Sequence, residues 1–155
     1  MHKGFVLAEE VVRVQVDVPD REAIISLLAD VLEKEGYVKG TYKEAVLARE
    51  EVFSTGLPLQ EYCVAIPHTD AIHVNKPMIG VATLKNPVQF AEMGNPEELL
   101  DVKLVFMLAM QDGRDQIKLL TQMMKIVQDQ ELLNRIYQAD QKEIVELINQ
   151  KLCME

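Results

Sequence analysis

Val102-Lys103-Leu104-Val105-Phe106-Met107-Leu108-Ala109-Met110 is apolar at every position but one. A run of this length, without glycine or proline and with apolar side chains at both odd and even positions, predicts a central strand covered on both faces. Such a strand needs neighbours. Val12, Val14 and Val16 alternate with Arg13 and Gln15, the pattern of a half-buried strand. Tyr62 to Ile66, Met78 to Leu84 and Val88 to Phe90 read as further strands, broken by Pro67, Pro77, Pro87 and Asn95-Pro96.

The cover comes from helices. Ile24, Leu27, Leu28, Val31 and Leu32 recur at helical spacing, and Gly36 follows as a stop. Thr41-Tyr42-Lys43-Glu44 has the form of a capping box opening a second helix that runs to about Phe53. The last third is helical. Ile117, Leu120, Met124 and Val127 line one helix, Leu132, Leu133 and Ile136 another, and Ile144, Leu147, Ile148 and Leu152 the last, with Asp129 and Asp140 as N-caps. Strand, two helices, several strands and then several helices imply one sheet covered by helices, an α/β (α+β) arrangement.

The chain has 155 residues, no Gly/Ser- or Pro-rich linker and no internal repeat, so residues 1–155 are expected to form one domain. With 25 acidic against 16 basic residues the net charge is −9, and no Lys/Arg cluster offsets it; nucleic acid is not an expected partner. Cys63 and Cys153 cannot make a disulfide framework and suit a reducing compartment. The apolar run within Met1–Glu10 is too short for a secretory leader, and no stretch approaches membrane-spanning length. The expected location is cytoplasmic.

The chemistry concentrates at Val64-Ala65-Ile66-Pro67-His68-Thr69-Asp70. Pro67 ends the strand, and His68 sits at the strand end, where functional groups gather. Upstream lie Arg49 and the turn Ser54-Thr55-Gly56. A strand-end imidazole, a cation and a glycine-containing turn are the parts a phosphoryl-carrying histidine needs, because neutral imidazole is a competent nucleophile and the phosphoryl oxygens need donors and positive charge. The residues alone leave each open. His68 also fits a structural histidine, Arg49 a solvated helix charge, and Thr55 and Gly56 a plain helix-terminating turn. His73 lies five residues beyond His68, but His-x-Asp-x-x-His matches no zinc spacing, so it reads as a loop histidine and no metal is expected.

The segment Ala48-Arg49-Glu50-Glu51-Val52-Phe53-Ser54-Thr55-Gly56-Leu57, followed by Ala65-Ile66-Pro67-His68, resembles the type-2 enzyme IIA component of the fructose–mannitol class. That class belongs to the bacterial phosphoenolpyruvate-dependent sugar phosphotransferase system (PTS). The continuation Thr69-Asp70-Ala71-Ile72-His73 is similar to its galactitol-specific branch. The resemblance implies a single mixed β-sheet flanked by helices on both faces, a three-layer α/β/α sandwich. It implies that His68 accepts phosphate from the carrier HPr on Nε2, with Arg49 beside it, and passes it to a cysteine of a IIB component. The membrane component IIC then takes part only indirectly, and no cofactor or metal is required. Thr55, Gly56, Gln116 and His73 are the implied phosphate-contacting or supporting residues. Many relatives carry a second histidine where this chain has Gln116; the galactitol branch also has glutamine. The alternative within the family is a regulatory, nitrogen-related module that senses phosphorylation and binds a regulator or kinase.

Overall fold

In the computed structural model of the chain, residues 6–59 and 62–153 are described; Met1–Phe5, on which part of the leader expectation rests, lie outside them. A 3-10 turn at Glu9–Val11 leads into β1 (Val12–Val16), α1 (Arg21–Lys34), α2 (Tyr42–Val52), β2 (Gly56–Leu57) and β3 (Cys63–Ala65). A second 3-10 turn at Ala71–His73 precedes β4 (Met78–Glu92), β5 (Asn95–Ala109), α3 (Arg114–Val127), α4 (Gln130–Gln138) and α5 (Gln141–Cys153).

The spine of the sheet is an antiparallel hairpin of β4 and β5 that turns at Met93–Gly94. β1 lies parallel to β4, with Val12 opposite Val81, and β3 lies parallel to β5 on its other side, with Ala65 opposite Val105. β2 runs antiparallel to β3 and also meets the far end of β4 at Glu92. The sheet is therefore mixed, as expected. β5 has a strand on each side, and Leu104 to Ala109 are buried at every position, which is why that run shows no polar face. α1 packs on β4 and β5 and carries α2, while α5 packs on β1 and gathers α3 and α4. Two helix groups thus enclose one sheet. Among the described residues no helix is long and apolar enough to cross a membrane.

Four local expectations change. β4 continues through Pro87 because the ladder with β5 is irregular between Thr83 and Val88, where a missing N–H costs no rung. β5 begins at Asn95, so Pro96 falls in the first residues of a strand, where proline is tolerated; Gly94, at φ +81°, supplies the left-handed turn residue before it. The capping box does not form. Thr41 is helical, at φ −84° and ψ −10°, makes no cap bond, and places its hydroxyl 2.8 Å from His73 Nδ1. In α3 the buried face is Leu119, Met123, Ile126 and Val127, whereas Ile117 and Leu120 are exposed. That helix has a broad apolar arc, and spacing alone does not choose which stripe faces inward. The aspartate caps do form: Asp129 accepts from Leu132 N at 3.1 Å and Asp140 from Glu143 N at 2.8 Å.

Candidate phosphoryl site

β3 delivers the chain to the site. Ile66 and Pro67 are buried, Leu108 N donates to Pro67 O at 2.9 Å, and His68 pairs with Leu108 as a parallel bridge. The buried Tyr42 hydroxyl donates to the Leu108 carbonyl at 2.8 Å. Burial pushes the Tyr42 phenol well above its usual value, so it stays a donor. The backbone at His68 is fixed by a buried strand that is itself fixed from α2.

His68 is half-buried, and its Nδ1 lies 2.8 Å from the carbonyl oxygen of Ile66. A carbonyl only accepts, so the bond assigns the hydrogen to Nδ1 and leaves the lone pair on Nε2. Arg49 approaches from the last turn of α2. Its Nη1 is 3.7 Å from Asp70 Oδ1, two residues beyond His68, which brings the guanidinium to the loop that His68 opens. Its carbon Cζ lies 5.2 Å from the centre of the exposed Phe53 ring. An ion pair to a carboxylate this exposed is worth at most about 1 kcal/mol, so a doubly charged anion can replace it at little cost. Arg49 Nε is buried and meets no acceptor among the described residues. A buried unsatisfied donor is costly and rare.

Glu50, the next residue, is missing from the sequence-derived set. It is 5% exposed, and its carboxylate takes both donors of Thr55: the backbone N–H at 2.9 Å and the hydroxyl at 2.7 Å. Burial raises its carboxyl above the usual value, against the Thr55 hydrogen bonds and the charge of Arg21, which lower it. A signal was present. Tyr42, Val46 and Glu50 recur at four-residue spacing, the buried stripe of α2. Thr55 is 2% exposed and its hydroxyl hydrogen goes to Glu50, which leaves that hydroxyl no hydrogen to give a phosphate oxygen in this geometry. Gly56 is not a free turn residue either. It opens β2 opposite Ala65, and a Cβ there would lie 2.6 Å from the Ala91 carbonyl oxygen. Glycine is needed for close packing of strands.

Gln116 sits in the first turn of α3, and its Oε1 accepts from Gln111 N at 2.8 Å. Gln111 is three residues past Leu108, so its Cα is no more than about 11 Å from the residue that bridges His68. The side-chain amide NH2 of Gln116 remains as its donor group. His73 is drawn elsewhere: its Nδ1 bonds to Thr41, and its carbonyl accepts from Lys39 N at 2.9 Å. Among the described residues no three His, Cys, Asp or Glu side chains are grouped to hold a metal.

The family described as "Phosphoenolpyruvate-dependent sugar phosphotransferase system, EIIA 2" matches residues 5–151. The galactitol-specific EIIA component of the PTS of Escherichia coli K12 is 31% identical over 109 residues, 70% of this chain and 72% of that protein. Two solved structures share the fold. A PTS IIA from Streptococcus mutans superposes with a TM-score of 0.77 at 19% identity, over 95% of each chain. Enzyme IIAMtl of E. coli, determined in complex with phosphorylated enzyme IIBMtl, superposes with a TM-score of 0.76 at 23% identity, over 92% of this chain and 96% of that one. Profile, relatives and architecture agree: this chain belongs to the EIIA type-2 family of the phosphoenolpyruvate-dependent sugar phosphotransferase system.

Proposed function

We propose that this protein is a phosphoryl carrier in which His68 Nε2 receives a phosphoryl group from HPr and passes it to a cysteine of a IIB component serving galactitol uptake. The observation that carries this reading is the bond between His68 Nδ1 and the Ile66 carbonyl. It holds the imidazole in the tautomer whose Nε2 lone pair can attack phosphorus. As the Nε2–P bond forms, the donor's N–P bond breaks and its electron pair returns to the donor nitrogen. In delivery the cysteine thiolate attacks, and the pair of the Nε2–P bond returns to His68. Such transfers depend on position and charge, and Arg49 supplies the cation. Loss of the Asp70 contact would free the guanidinium for bidentate donation to phosphoryl oxygens.

A protein-to-protein carrier also needs a surface on which partners dock. Phe53 beside Arg49, Ile72 in the loop after His68 and Ile117 beside Gln116 are 61%, 69% and 66% exposed. Exposed apolar side chains of this size favour a macromolecular partner. The choice of galactitol rests on the relative that shares 31% identity. The test is a relay. Protein labelled with phosphoenolpyruvate, enzyme I and HPr is mixed with purified IIB proteins, and the label is followed by intact mass. Rapid loss to a galactitol-type IIB and slow loss to fructose and mannitol types is expected. Equal loss to all three would reject the galactitol assignment, and no loss to any would favour the regulatory alternative.

A further inference from the structure

We propose that Glu50 is a positioning residue for His68, acting through Thr55 and Ile66 along one continuous chain of hydrogen bonds. This rests on the phosphoryl-carrier reading of His68 and deepens it. The chain begins at the buried carboxylate. Glu50 Oε2 and Oε1 accept from the N–H and the hydroxyl of Thr55 at 2.9 Å and 2.7 Å. The carbonyl of Thr55 then accepts from Ile66 N at 3.4 Å, a long bond that extends the β2–β3 ladder by one rung past Gly56 and Ala65. The carbonyl of Ile66 accepts from His68 Nδ1 at 2.8 Å.

The α2 helix ends at Val52, and only three residues separate it from β2. Thr55 is held on one side by the Glu50 carboxylate and on the other by Ile66 N. Glu50 is also the neighbour of Arg49, so the same anchor fixes the backbone from which the guanidinium extends. One buried side chain therefore sets the cation through its own main chain and the nucleophile through the main chain of two residues, Thr55 and Ile66. The arrangement resembles a carboxylate orienting a catalytic imidazole, with the main chain of two residues interposed.

The alternative is that Glu50 merely stabilises the corner. A structural role changes the unfolding midpoint and leaves the imidazole as it was; a positioning role changes the imidazole. The experiment compares wild type, Glu50→Gln, Thr55→Val and Thr55→Ser, all unphosphorylated, by nitrogen-15 NMR of the histidine side chains. His68 is expected as one tautomer, hydrogen on Nδ1, in wild type and in Thr55→Ser, which keeps both donors. In Glu50→Gln and Thr55→Val it is expected as a mixture, with His73 unchanged as an internal control. Phosphorylation by HPr should slow about tenfold to a hundredfold in those two variants and recover in Thr55→Ser, the scale expected when a reacting group is slightly misplaced. Unchanged His68 tautomer and transfer rate in folded Glu50→Gln and Thr55→Val would overturn the proposal. If Glu50→Gln does not fold, Thr55→Val against Thr55→Ser decides the matter. Failure of wild type to accept phosphate at all would instead reject the carrier reading, and the tautomer comparison would still decide whether Glu50 orients His68.

Discussion

His68 Nδ1 is held 2.8 Å from the carbonyl oxygen of Ile66, two residues earlier in the same strand exit. The acceptor is main chain, buried and incapable of donating, so it selects one tautomer. The phosphoryl group is accordingly expected on Nε2. Nitrogen-15 shifts and phosphorus couplings of the phosphorylated protein check this directly; a group attached to Nδ1 would require the Ile66 bond to break.

Arg49 is expected to act through geometry as well as charge. Arg49→Ala should slow phosphoryl transfer by roughly a hundredfold or more, the usual cost of removing a charge-stabilising donor. Arg49→Lys keeps the charge but loses the planar fork, and should recover only part of the rate. The unfolding midpoint should barely move, by the equivalent of about 0.5 kcal/mol, because the Asp70 contact is exposed. Rapid-quench transfer from HPr measures the first effect, and thermal unfolding the second. Transfer kinetics unchanged in Arg49→Ala would leave Arg49 as a surface charge.

Gln116 tests the absence of a second histidine. An amide does not titrate, so the pH–rate profile of transfer should contain a single imidazole ionisation from this chain. Gln116→His should add a second ionisation without abolishing phosphorylation. Gln116→Ala loses both the acceptor for Gln111 N and the amide donor, and should slow transfer only moderately, since a neutral hydrogen bond is worth about 1 kcal/mol. A Gln116→Ala protein as slow as Arg49→Ala would contradict the neutral-donor role.

The buried carboxylate of Glu50 makes stability depend on pH in a definite direction. Burial raises its carboxyl above 4.5, more than Thr55 and Arg21 lower it. The folded state therefore binds this proton more tightly than the unfolded chain. The stability Glu50 contributes is full below its unfolded value and declines as pH rises through the raised folded value. Urea unfolding of wild type and Glu50→Gln, compared from 4.5 upward, should show the wild-type advantage shrinking with pH. An advantage that grows over that range would mean the carboxylate is stabilised, not strained, by its surroundings.

Much of this was legible in the sequence. The central strand, the five helices and the strand-end histidine follow from periodicity and proline placement, because burial on both faces leaves a run such as Leu104 to Ala109 with no alternative. The extent of β4 was not legible, since tolerance of Pro87 depends on a ladder irregularity created by its partner strand. The roles of Thr55 and Gly56 were hidden for the same reason: the acceptor of one is a buried helix residue, and the crowding at the other comes from Ala91, on a distant strand. Thr41 misled because its hydroxyl has a tertiary partner, His73, that competes with the local cap. Glu50 was legible by its four-residue spacing from Tyr42 and Val46, but its residue type argues the other way, since glutamate is rarely fully buried.

The most direct test of the account is a count of phosphoryl groups. Wild type, His68→Ala and His73→Ala are incubated with phosphoenolpyruvate, enzyme I and HPr, and intact mass is recorded before and after mild acid, which cleaves phosphohistidine. Wild type and His73→Ala are expected to gain one acid-labile phosphoryl group, and His68→Ala none. Full labelling of His68→Ala, or its loss in His73→Ala with His68 intact, would contradict the assignment of His68 as the carrier.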